Sequence, residues 1–115
     1  MQTCLWEILV PAESNGKEIP VEFHWEWDKK IRELTGGLTI LKPVKGHWVS
    51  DSNDIFVEKM IPVRIACTHG QIYDIAELTR DHYNQEVIMV YKISDMVLYI
   101  KKGMTSLESF SIRGN

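Results

Sequence analysis

Few residues of this 115-residue chain have both the type and the placement to do chemistry. Glu7 stands in Cys4-Leu5-Trp6-Glu7-Ile8-Leu9-Val10, and Arg64 stands in Ile61-Pro62-Val63-Arg64-Ile65-Ala66-Cys67. A carboxylate and a guanidinium set into two apolar stretches can bind or polarise a small ligand. The plainer reading is a structural ion pair in an interface, because buried charges are usually paired for structural reasons. Glu58 shares the parity of Arg64 and becomes a general base if burial raises its pKa; otherwise it is a strand-end surface carboxylate. His47-Trp48 follows Gly46, so a proton-transfer group sits beside a stacking surface at a glycine bend. The plainer alternative there is a packed tryptophan and a solvated histidine. The candidate ligand-binding set is therefore Glu7, Trp48, Glu58 and Arg64, with no catalytic residue assigned.

Other constellations carry less. His24 and Asp28 lie one helical turn apart, as metal ligands can, but no second pair accompanies them, so no metal site is expected. His69 and His82 fall at opposite ends of one helix and cannot share a site within a monomer; His82 suits a helix C-terminal dipole. Trp25 is a packed flank or a partner-contact aromatic. Tyr83, Tyr91 and Tyr99 read as core-edge packing. No Ser-His-Asp set, Cys-His pair, phosphate-cradling glycine loop or paired-cysteine zinc pattern has convincing spacing, and no cofactor is expected. Net charge is -3, with no basic surplus to hold phosphates, which disfavours nucleic acid as a partner. No apolar run approaches the ~20 residues of a membrane span. Met1 to Val10 lacks a basic head and a small-residue cleavage site, so no leader is expected. Cys4 and Cys67 are too few for a disulfide framework, and both are expected as thiols in a cytoplasmic protein.

The elements that must position these residues group around Gly36-Gly37-Leu38-Thr39-Ile40-Leu41 and Gly46-His47-Trp48-Val49-Ser50. The glycine pair stops a helix over about Val21 to Thr35, whose stripe is Phe23, Trp27, Ile31 and Leu34. A strand follows over Leu38 to Leu41, bends at Pro43 to Gly46, and resumes over His47 to Ser50. Asp51-Ser52-Asn53-Asp54 turns it into a strand over Ile55 to Cys67, where Pro62 suggests another bulge. Thr68 with Gln71 forms a weak capping box for a second helix over about His69 to Asn84. A last strand is expected over Val87 to Ile93 and Met96 to Lys101, split by Ser94-Asp95. Residues 103–115 read as a polar tail after a single domain spanning residues 1–102.

With the strand Cys4 to Val10 in front, the order is β-α-β-β-α-β, a ferredoxin-like α+β sandwich with an antiparallel sheet. Right-handed crossovers give the sheet order fourth, first, third, second strand. The first and third strands are then neighbours. Matching core face to core face pairs Trp6 with Ile65, Ile8 with Val63, Val10 with Ile61 and Cys4 with Cys67. That register also sets Glu7 opposite Arg64, an ion pair that favours it by roughly 0.2–1 kcal/mol. The face away from the helices carries Leu5, Leu9, Met60 and Ala66 beside these charges, too apolar to stay wet. A homodimer with two sheets face to face, of the dimeric α+β barrel type, covers it and encloses an apolar space around a polar spot.

Gly37 to Leu41, the Gly46-x-Trp48 step, Glu58, Tyr83 and Gln85-Glu86-Val87 resemble a family of small bacterial proteins of unknown function. The chain is also similar to hypothetical proteins of integron gene cassettes, over about Trp6 to Ile100. The resemblance implies a ferredoxin-like or dimeric α+β barrel fold and assigns no chemistry. Three functions fit these residues: a homodimeric module for a small organic molecule; a cofactor-free enzyme using Glu58 or His47 in proton transfer; and a protein–protein adaptor using Trp25, Trp48 and the tail.

Overall fold

A computed structural model describes residues 2–103. Strand β1 (Cys4–Pro11) leads into a miniature hairpin, β2 (Glu13–Ser14) and β3 (Lys17–Glu18), and then helix α1 (Val21–Thr35). Strands β4 (Thr39–Ile40), β5 (Val44–Val49) and β6 (Ile55–Cys67) precede helix α2 (His69–His82) and strand β7 (Val90–Ser94). The turn between β2 and β3 places Asn15 and Gly16 at φ 53° and 76°, the left-handed pair that a two-residue hairpin loop demands.

Local sequence explains the helix ends. Gly36 closes α1 at φ 89°, and its N–H donates to the Arg32 carbonyl at 2.8 Å. Thr68 caps α2 reciprocally: its hydroxyl accepts from Gln71 N–H at 3.2 Å, and the Gln71 side chain accepts from Thr68 N–H at 3.0 Å. The Gln71 amide also donates to Leu34 O at 3.1 Å, tying the start of one helix to the end of the other.

In the main sheet β7 lies beside β1, β1 beside β6, and β6 beside β4 and β5. If β4 and β5 are counted as one interrupted second strand, this is the predicted order. The register of β1 against β6 also matches, with Trp6 opposite Ile65, Ile8 opposite Val63 and Glu7 opposite Arg64. Cys4 faces Cys67, and both are buried free thiols. Burial, with Cys4 alongside, pushes the Cys67 thiol up to about 12.

The core lies between sheet and helices, where Ile8, Val10, Val63 and Ile65 meet Trp27, Ile31, Ile72 and Ile75. A polar group is buried deep within it, Thr79 on α2. Its hydroxyl accepts from Trp27 Nε1 at 2.9 Å and donates to Ile75 O at 2.6 Å, so neither the indole nor the hydroxyl is stranded between the helices.

Three expectations need correction. Pro62 does not break the pairing of β6 with β1, since it stands directly opposite Leu9. The irregularity falls on the other neighbour. Between the pairs Ile40–Val63 and Val44–Met60, residues 41–43 oppose only 61–62, so the second strand bulges beside the proline that has no N–H to offer. The last strand is shorter than predicted: β7 ends at Ser94, and residues 96–100 are not in a strand. There the Ser94 hydroxyl caps the turn, accepting from Met96 N–H. Finally α2 ends at His82 rather than Asn84, because Asn84 turns to φ 50°. The tail expectation lies outside the described residues beyond Gly103.

Candidate functional site

Alternation along three neighbouring strands builds the site. On β1 the odd positions face away from the helices, on β6 the even ones do, and β7 presents Tyr91 beside Glu7. Tyr91, Glu7 and Arg64 therefore form one row across the middle of the sheet. Arg64 Nε donates to Glu7 Oε1 at 3.0 Å, and the Tyr91 hydroxyl donates to Glu7 Oε2. The Glu7 side chain is 9% exposed and the Arg64 side chain 43%. The Tyr91 hydroxyl, foremost, and the Arg64 guanidinium hold the Glu7 carboxyl below its ordinary range, although burial works against them. The same hydrogen bond to Glu7 raises the Tyr91 phenol.

This row sits in an open groove of about 640 Å³. Its walls are apolar: Leu9, Leu41, Met60, Pro62 and Met89, with the Trp48 indole at one end. No bend forms at Gly46, contrary to the expectation from sequence, because it pairs regularly with Glu58 inside β5; its missing side chain has another role. A Cβ on Gly46 would meet Met60 Cε at 2.3 Å and the Trp48 ring at 3.2 Å, so Gly46 lets the indole and the thioether close together over the strand.

Three of the four sequence-predicted ligand residues, Glu7, Trp48 and Arg64, line the groove. Glu58 does not, but its carboxylate Oε2 accepts from Trp48 Nε1 at 3.0 Å and so fixes the indole at the rim. His47 is exposed and lies on the opposite side of β5 from Trp48. Tyr91, expected as core-edge packing, is instead the second donor to Glu7. Its signal in the sequence is the parity of Met89 and Tyr91, which becomes informative once β7 is registered against β1.

The remaining histidines have structural partners. His24 Nδ1 and the Tyr83 hydroxyl are hydrogen-bonded at 2.6 Å, and His82 Nε2 donates to Phe23 O at 2.9 Å while its ring stacks on Phe23. Together they lock the first turn of α1 to the end of α2. Burial and the nearby His82 lower the His24 pKa, and burial raises that of Tyr83. His69 packs edge-on against Trp6. Among the described residues no group of three or more His, Cys, Asp or Glu side chains is placed to hold a metal ion. Among them, too, no helix is long and apolar enough to cross a membrane.

No protein-family model matches this sequence, and no curated protein matches it. Solved structures do. The chain is similar to the CutA1 protein of the psychrotrophic bacterium Shewanella sp. SIB1, at a TM-score of 0.65 and 16% identity over 85% of each chain. It is similar to the divalent cation tolerance protein CutA1 of Thermus thermophilus, at 0.61 and 13% over 88% of each. A phage SAM lyase solved with S-methyl-5'-thioadenosine gives 0.59 and 15%, over 81% of this chain and 90% of that one. At such identities the likeness establishes the architecture alone: an α+β ferredoxin-like fold with an antiparallel sheet, of the kind seen in CutA1.

Proposed function

We propose that the protein is a homodimeric binding module for a small organic molecule, held in the groove on the helix-free face of the sheet. The observation that carries this reading is the Tyr91–Glu7–Arg64 row. A carboxylate that is almost wholly enclosed, with both oxygens satisfied, stands at the centre of an otherwise apolar concavity. Few convergent polar groups on apolar walls, at this volume, are what small-ligand sites present. A second copy laid over the open face supplies the missing wall. It also covers the apolar hairpin end, where Val49, Ile55, Phe56 and Val57 are all more than half exposed.

A thermal-shift screen of metabolites against the purified chain tests the ligand, and light scattering tests the assembly. A hit that raises Tm in the native chain and is lost in Arg64→Ala supports the reading. A particle of one chain's mass with no hit refutes it, and a mass of three chains replaces the two-fold arrangement. An enzyme relying on Glu58 or His47 gains no support, since neither side chain lines the groove. The adaptor reading retains Trp25, 60% exposed on α1, as a contact aromatic. A cytoplasmic location and an origin in a mobile cassette rest on sequence features alone. Fractionation of the native host and the recombination sites flanking the gene test them.

A further inference from the structure

We propose that the groove selects a monoanion with a flat or branched apolar body, an organic carboxylic acid whose carboxylate lands on the Arg64 guanidinium. This rests on reading the groove as a ligand site and adds the charge and class of the ligand. The argument is one of unspent hydrogen-bonding capacity. Glu7 has little to offer, because Oε1 accepts from Arg64 Nε, Oε2 accepts from the Tyr91 hydroxyl, and the lone pair left on each belongs to a side chain only 9% exposed. The single proton of Tyr91 is spent in the same bond. The Trp48 N–H is spent on Glu58. Arg64 is different. A guanidinium carries five N–H donors, and only Nε–H is engaged among the described residues. The four donors on its two terminal nitrogens belong to a side chain that is 43% exposed and lines the groove.

The charges agree. Of the charged groups lining the groove on this face, Glu7 is neutralised by Arg64, and no second carboxylate is there to repel an anion. A cationic ligand would have to pull the enclosed Glu7 carboxylate away from Arg64 and strand a buried charge. An anion needs no such exchange, because the free edge of a guanidinium matches a carboxylate in two parallel hydrogen bonds. The body of the ligand then lies on Leu9, Met60, Pro62 and Met89, with Trp48 beside it. The two methionines let that surface adapt to rings or branched chains.

The test is calorimetric titration of the full chain with a panel of aromatic and branched acids, each paired with its primary amide and its amine. Benzoate, indole-3-acetate and 4-methylpentanoate head the panel. At least one acid is expected to bind tenfold or more tighter than its own amide, with the amine weaker still. Arg64→Gln should bring that acid and its amide within about threefold of each other, and Arg64→Lys, which keeps the charge but not the paired donors, should weaken the acid alone, which keeps the test open if the Arg64→Gln variant does not fold. An amide or amine that binds as tightly as its acid overturns the assigned charge but leaves the groove a ligand site. S-methyl-5'-thioadenosine, an uncharged nucleoside thioether, serves as a neutral probe of the same kind. No binding by any acid overturns the proposal; silence from the broad metabolite screen as well removes the ligand-site reading beneath it.

Discussion

Replacing Arg64 with methionine should destabilise the fold by about 1–2 kcal/mol, and the structure sets that figure between two limits. Removing one member of a fully buried ion pair costs about 3–5 kcal/mol because a charge is left uncompensated. An exposed pair contributes only about 0–1 kcal/mol. Glu7 belongs to the first case and Arg64, with nearly half its side chain in reach of water, to the second. The Tyr91 hydroxyl still donates to Glu7 in the variant and limits the loss. With an unfolding entropy of about 2.1 cal/mol/K per residue, a chain of this length should lose about 4–8 °C in Tm. Urea unfolding at pH 7 of the native chain, Arg64→Met, and the double variant Glu7→Leu/Arg64→Met reads it out. The double variant should recover most of the loss, because no charge then remains to be solvated. Acid titration gives an independent arm. Glu7 has a depressed pKa in the folded state, so its contribution is complete above the unfolded value of about 4.3 and is lost as pH falls through the folded one. The native chain should therefore lose stability below about pH 4.5 more steeply than the double variant. A single variant within about 0.3 kcal/mol of the native chain, or a double variant no more stable than Arg64→Met, would refute the reasoning.

Further consequences are open to measurement. Thr79→Val leaves Trp27 Nε1 without a partner in the core and should cost about 1–3 kcal/mol in chemical unfolding. Gly46→Ala should cost less than about 1 kcal/mol, since the Met60 thioether end can swing aside, but it should shift Trp48 fluorescence and weaken any groove ligand. His24 is held neutral by burial and by His82, so its folded pKa lies below the unfolded value of about 6.5. Below that value the unfolded chain binds more protons, so stability should decline from about pH 6.5 downward until the folded His24 titrates. His24→Gln should flatten that part of the stability profile.

Much of this architecture was legible in the chain because it depends on short-range periodicity. Alternation in Cys4–Val10 and Ile61–Cys67 left only a few registers, since a one-residue slip would have turned one apolar set to the wrong face, and the opposite charges of Glu7 and Arg64 selected the observed one among them. Val21–Thr35 was bounded by Pro20 and Gly36 and needed no distant partner to be recognised. The role of Tyr91 was not legible in this way. Strand β7 is short and exposed, its pairing with β1 shifts at Leu5/Trp6, and no local pattern states which rung it takes. The clasp of His24 and Tyr83, 59 residues apart, depends on how two helices meet on the sheet.

The sequence alone determined which residues share a face, because the periods of strand and helix are properties of the backbone and act on every neighbour alike. Only the tertiary structure decided which of those faces meet and which side chains spend their hydrogen bonds on one another. That outcome depends on strand order, on the bulge opposite Pro62 and on the packing of the helices. These are long-range contacts whose free energy no single segment contains, and the enclosure of Glu7 between Arg64 and Tyr91 is their product.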